Sequence, residues 1–131
     1  MATRHQAREA VIGLLYAYEL GSDDINKYSE EILEEKKIRN KQREFSLKLY
    51  NGTIENLDTI DKEIKKHLQQ WDFSDLGKIE KAILRLGAYE IIIDGNDKAI
   101  VINEAIELAK ELADDKSHQF INGVLDAMKK G

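Results

Sequence analysis

Few side chains in this sequence are of a type that makes or breaks bonds, and their spacing does not gather them. The three histidines, His5, His67 and His118, are scattered along the chain. His5 and Glu9 share a helical face at i and i+4, but a metal site needs more ligands than that pair supplies. His118, just inside a predicted helix start, reads as a capping or surface histidine rather than a general base. The Asp94-Gly95-Asn96-Asp97 turn lacks the spaced ligands and terminal glutamate of a calcium loop. There is no phosphate loop, dinucleotide fingerprint, nucleophile elbow or HExxH. The absence of cysteine excludes disulfides, thiol catalysis and cysteine-based zinc sites. The expectation is a protein that is not an enzyme, with no cofactor and no metal.

What remains is the chemistry of stacking and charge. On a helix running from Thr3 to Leu20, Ala7, Ala10, Val11, Leu14, Leu15 and Tyr18 form the core stripe. A wheel at about 100° per residue points Tyr16 nearly opposite that stripe, with His5, Ile12 and Glu9 close to it and Arg8 flanking. Arg4 and Arg8 stand one turn apart near the helix start. An outward tyrosine beside basic groups is a platform on which an unpaired base can stack. It can equally be a stray surface aromatic, since single exposed apolar residues are common.

The elements that must position these residues are all helical. After a turn at Gly21-Ser22-Asp23-Asp24, a short acidic helix from Ile25 to Lys36 has Tyr28, Ile32 and Leu33 as anchors. Lys36, Lys37, Arg39, Lys41 and Arg43 cluster at the next helix start, where they oppose the macrodipole and read as solvated surface. From Lys41 to Gln70, Leu47, Tyr50, Ile54, Leu57, Ile64, Leu68 and Trp71 keep nearly helical spacing. That predicts one long helix, bent or broken at Asn51-Gly52. A break with capping residues at Asp72-Phe73-Ser74-Asp75 leads to a helix from Leu76 to Ile92, with Ile79, Ala82, Ile83, Leu86 and Tyr89 inward.

The stretch from Ala99 to Met128 predicts a packed helical hairpin. Val101, Ala105, Leu108, Ala109 and Leu112 make one stripe, and Phe120, Ile121, Val124, Leu125 and Met128 another. Asp115 or Ser117 can cap the last helix. Gly123 lies inside it, where glycine costs about 1 kcal/mol relative to alanine, so close approach of another helix or a ligand is expected there. In total the pattern predicts an all-α, single-domain bundle of about six helices over residues 1–131. The formal net charge of −5 argues against a nucleic-acid surface over the whole protein, yet leaves room for a local basic patch. No apolar run approaches the roughly 20 residues that span a bilayer, and an intracellular, cytoplasmic protein is expected.

The run Asn103-Glu104-Ala105-Ile106-Glu107-Leu108-Ala109-Lys110, followed by Ser117-His118-Gln119-Phe120-Ile121-Asn122-Gly123-Val124-Leu125-Asp126, closely resembles the C-terminal signature of the NusB family of transcription antitermination factors. Ala7-Arg8-Glu9-Ala10 through Leu15-Tyr16 resembles the family's N-terminal helix, and Ile79 through Arg85 to Tyr89-Glu90 its central helix. The likeness implies a small helical RNA-binding factor that pairs with NusE, a ribosomal small-subunit protein. Together they hold the boxA element of nascent RNA near RNA polymerase in the elongation complex, notably during ribosomal RNA synthesis.

Carried over by position, the resemblance implies an RNA-binding set of Arg4, His5, Gln6, Arg8, Tyr16, Lys116, Ser117, Gln119 and Phe120. Arg4, Arg8 and Lys116 would attract phosphates, which positions RNA without reading its sequence. Tyr16 and Phe120 would offer aromatic faces, and Gln6, Ser117 and Gln119 hydrogen bonds to base edges. Phe120 fits the core as well as it fits RNA. Glu80, Glu104 and Glu107 are candidates to meet a basic ribosomal protein, or are solvent-facing charge. The basic arm is thin, with His5 and Gln6 where relatives can have arginine, and Lys116 stands where some carry aspartate. Two other readings are an RNA-docking domain like that of some ribosomal RNA methyltransferases, against which stands the end of the sequence at Gly131, and a helical module that binds only protein.

Overall fold

The computed structural model describes residues 2–21, 24–114 and 116–131. Among them are seven α-helices and no strand: α1 Arg4–Glu19, α2 Ile25–Glu35, α3 Asn40–Glu55, α4 Leu57–Lys66, α5 Lys78–Ala88, α6 Lys98–Leu112 and α7 Ser117–Asp126. A short 3₁₀ turn, Phe73–Asp75, precedes α5, and a π-helical turn, Tyr89–Ile93, follows it. The bundle is all-α, as the periodicity predicts.

Helix α5 is the axis. Every residue from Lys81 to Ile91 is buried, because α1, α3, α4, α6 and α7 all pack against it. It packs tightly at Gly87, where a Cβ would come within 2.8 Å of Leu125 on α7. A second tight place is Gly52 in α3, whose missing side chain admits the Tyr89 ring. Glycine at these sites trades helix propensity for close packing.

Sequence reading placed several features differently. The single long helix is two, and the break falls at Asn56 rather than Asn51-Gly52. The Asn56 side-chain amide donates to the Gly52 carbonyl at 2.7 Å, and its φ of −112° takes the chain out of the helix. Gly123 faces open space, with nothing within 4 Å of a Cβ there, so no helix approaches it. Tyr28 is exposed, and Ile25 and Ser29 hold the buried positions of α2 instead. Ile12 is buried rather than set beside Tyr16, which widens the apolar face of α1 beyond one stripe. Trp71 is 58% exposed, because the chain has left α4 before reaching it.

Local caps mark the starts of α1 and α6. Thr3 and Gln6 form a reciprocal capping box at α1. Asp97 accepts from Ala99 and Ile100 N–H at the start of α6. At α7 Ser117 is the first helical residue and not the cap. Asp114 accepts from the N–H groups of Lys116 and Ser117 at 3.0 and 3.1 Å, and Asp115 lies outside the described residues. The Lys116 N–H, then the Ser117 hydroxyl, hold the Asp114 carboxyl below its ordinary range. Ser22 and Asp23, from the turn expected at Gly21-Ser22-Asp23-Asp24, also lie outside the described residues.

Candidate nucleic-acid interface

Two grooves run beside α1. The larger, about 1070 Å³, is floored by the outward line Gln6, Glu9, Gly13 and Tyr16. On one bank stands the loop that joins α2 to α3, with Lys36, Lys37, Arg39 and Lys41. Ile79 and Leu112 also line it. Tyr16 is 36% exposed in this groove, as the wheel predicts. The chain reversal that brings the basic loop here uses left-handed backbone at Lys37 (φ 61°) and Asn40 (φ 57°).

The basic run is not uniform. Arg39 and Arg43 both pair with Glu34, which neutralises part of their charge. Lys41 lines the second groove too, with Arg4, Phe45 and Lys48, so it links the two. Arg4 lies over the Phe45 ring at 4.2 Å from its centre, a cation–π contact that fixes an exposed guanidinium at the groove mouth. Sequence reading named the Lys36–Arg43 cluster but gave it no role. Its only local signal was the charge itself, and nothing in the run says that it faces Tyr16.

Arg8 departs from expectation. It is 8% exposed, and its guanidinium donates to both oxygens of Glu90 at 2.8 and 3.1 Å. Glu90 is itself 2% exposed, carried on the π-helical turn, and accepts further from the Asn96 amide. A guanidinium so committed is part of the framework and is not presented to a phosphate. Gln6 is exposed, but its side-chain carbonyl is taken by the Thr3 N–H at 2.9 Å. His5 bridges Glu104 and Glu111 of α6, and these hydrogen bonds, Glu104 first, raise its imidazole above the usual 6.5.

The second group of candidates gathers at the start of α7. Lys116 and Gln119 are exposed. The Ser117 hydroxyl is shared between Asp114 at 3.1 Å and Glu80 at 3.4 Å. Phe120 is half-buried against the core and meets Trp71 edge to face, ring centres 6.1 Å apart. Trp71 is thus an exposed aromatic, which sequence reading had only placed in phase with the apolar positions before it. Ile79 lines the Tyr16 groove and its neighbour Glu80 meets Ser117, so this group adjoins the first.

The acidic candidates do not form a separate face. Glu80 meets Ser117, and Glu104 meets His5, while Glu107 is exposed. Beside them a further charged network ties the bundle together. Glu19 accepts from Lys81 at 2.9 Å and Arg85 at 2.7 Å, and Asp61 accepts from Arg85 twice at 2.9 Å. Burial pushes the Glu19 carboxyl up, but Lys81 and Arg85 outweigh it and hold the group below its ordinary 4.5. No described helix is long and apolar enough to cross a membrane.

The NusB family profile matches residues 5–130. The chain is 68% identical over 130 residues to the transcription antitermination protein NusB of Sulfurovum sp. (strain NBC37-1), covering 99% of this chain and 100% of that one. It is 58% identical to the NusB protein of Campylobacter jejuni (strain RM1221), covering 99% of this chain and 98% of the relative. A crystal structure of antitermination factors NusB and NusE in complex with dsRNA superposes with a TM-score of 0.85 at 33% identity, over 95% of this chain and 93% of that one. NusB of T. maritima superposes with a TM-score of 0.86 at 34% identity, over 95% and 89% of the two chains. With the family signature over nearly its whole length and the family's fold in its backbone, the chain belongs to the NusB family.

Proposed function

We propose that this chain, a single RNA-binding domain over residues 1–131, acts in transcription antitermination by holding boxA-type single-stranded RNA jointly with NusE. The setting is the cytoplasmic elongation complex, with RNA polymerase alongside, and the protein contributes binding and no catalysis. The observation that carries the reading is Tyr16, an exposed aromatic on the floor of an open groove banked by Lys36, Lys37 and Lys41. Stacking on an aromatic face beside a cationic wall is how unpaired nucleotides are held without base pairing. The relatives are named as antitermination proteins, and a solved relative holds NusE and dsRNA.

Within that reading the roles divide by chemistry. Arg4, Lys41 and Lys116 attract phosphates, and Tyr16 stacks a base. Gln119 and the Ser117 hydroxyl reach base edges, while Phe120 supports the face from within the core. Arg8 acts as a positioning residue for α1 through Glu90. Glu107 is the acidic candidate left open to a basic partner, and Glu80 and Glu104 reach that partner only beside Ser117 and His5.

An acidic protein with few phosphate contacts holds RNA weakly by itself. NusE, docked beside the groove, tightens boxA binding, and boxA tightens NusE by the same factor. Fluorescence anisotropy at fixed salt, with NusE absent and then saturating, measures this. A coupling of about 1–3 kcal/mol is expected. Equal affinities leave a simple RNA binder, and no RNA binding in either condition leaves a module that binds protein alone.

A further inference from the structure

His5 and Glu9 are one helical turn apart on α1, and the fold adds to them two carboxylates from α6. His5 Nδ1 lies 2.9 Å from Glu104 Oε2, and His5 Nε2 lies 2.9 and 3.0 Å from the two oxygens of Glu111. One ligand atom each from His5, Glu9 and Glu111 lies within 4.8 Å of the others. A neutral imidazole has one proton for two nitrogens. With both nitrogens against carboxylates, one contact then sets a lone pair against an anion unless a cation stands between them.

A proton is one such cation and a metal ion is another. We propose that His5 Nε2, Glu9 and Glu111 bind one first-row divalent cation of the Zn²⁺ class, with Glu104 holding the Nδ1–H from behind. An imidazole nitrogen with two carboxylates, and a fourth position open to water, is a donor set for zinc rather than for magnesium or calcium. The carboxylate behind the distal nitrogen is the partner that orients metal-bound histidines generally. Ligand atoms held at about 2.0–2.2 Å from a tetrahedral zinc stand roughly 3.3 Å apart. Rotation of the exposed Glu9 and Glu111 side chains closes the present spacing onto one ion. Among the described residues, the ion pairs of Glu104 and Glu111 are with His5 alone, so the cluster is a concentrated negative charge.

Binding to the protonated form replaces the Nε2 proton by the metal, and one proton leaves to solvent. The ion ties the first turn of α1 to the last turn of α6. It draws His5 away from RNA and sets a cation at the edge of the Tyr16 groove, which Glu9 also lines.

The test uses tag-free full-length protein stripped with a chelator, titrated with Zn²⁺ by calorimetry and with Co²⁺ by visible absorption. One ion per chain is expected, with Co²⁺ bands of low-coordinate intensity. His5→Ala and Glu111→Gln are each expected to weaken binding by about 10-fold or more, at least what loss of an outer-shell partner costs. A His67→Ala/His118→Ala double variant is expected to bind like wild type, and circular dichroism melts establish that every variant is folded. RNA plays no part in these measurements, so their outcome is independent of the boxA reading. No saturable uptake by the wild type, or uptake that survives both His5→Ala and Glu111→Gln, overturns the proposal.

Discussion

Arg8 and Glu90 meet 82 residues apart in sequence as a buried, two-pronged ion pair beneath α1. Removing one member leaves the other charged and out of water, which costs about 3–5 kcal/mol. Arg8→Met is therefore expected to lower the urea midpoint sharply. BoxA affinity, measured where the variant is still folded, keeps the wild-type salt slope. A shallower slope with unchanged stability would return Arg8 to the list of phosphate contacts.

Tyr16 gives the opposite pattern. Its ring is exposed on the groove floor, so Tyr16→Ala leaves the melting temperature near wild type and weakens RNA binding by about 1–3 kcal/mol, the worth of one stacked base. Leu14→Ala is the control from the buried side of the same helix and costs about 2–5 kcal/mol of stability. Full RNA affinity in Tyr16→Ala removes this residue from the interface.

Two glycines in helices separate backbone cost from packing. At Gly123 a methyl group meets nothing within 4 Å, so Gly123→Ala stabilises by up to about 1 kcal/mol. At Gly52 the same methyl runs into the Tyr89 ring, and Gly52→Ala destabilises by overpacking, about 1–3 kcal/mol. Thermal melts of the two variants should move in opposite directions. A shift of the same sign in both contradicts the packing described for α3.

Stability responds to pH at both ends of the range. His5 has a folded pKa above 6.5, raised by Glu104 first and Glu111 next, with Glu9 also near. Its contribution is full below 6.5 and fades as pH rises through the folded value. Glu19 titrates below 4.5 in the fold, so its contribution is full above 4.5 and fades as pH falls through the folded value. NMR titration of the His5 imidazole in chelator, and melts of Glu19→Gln in acid, check the two signs. A His5 midpoint at or below 6.5 contradicts the first, and an unaltered acid limb in Glu19→Gln the second.

What could be read from sequence was what repeats locally. The α1 stripe from Ala7 to Leu15 and the α6–α7 hairpin obey one period, and turn residues bound them, so helix type and inward faces were legible. Tyr16 was legible for the same reason, being a large residue at the wrong phase for the core. Asn56 was not, because Ile54, Leu57 and Ile64 keep nearly the same phase across it and neither glycine nor proline marks the break. Trp71 was placed in the same phase by extending it past the real end of α4. The charged interior was hidden most completely. Arg8, Lys81, Arg85 and Glu90 look like surface residues until partners from distant helices are placed beside them, and periodicity carries no information about partners.

The burial of α5 on every side also sets the order in which the protein can be made. Helices α1 to α4 leave the ribosome before α5, and α6 and α7 after it, so a nascent chain halted past Ile93 holds its central helix with two neighbours still missing. In that interval the apolar flank that later meets α6 and α7, with Leu125 against Gly87, is open to water and to other chains. Folding to the final state is thus expected to be a late event, coupled to release of the C-terminal hairpin. Protease resistance of ribosome-bound chains of increasing length reports on it. Resistance should appear only once α7 has cleared the exit tunnel, and its appearance with α5 alone would place closure of the bundle earlier.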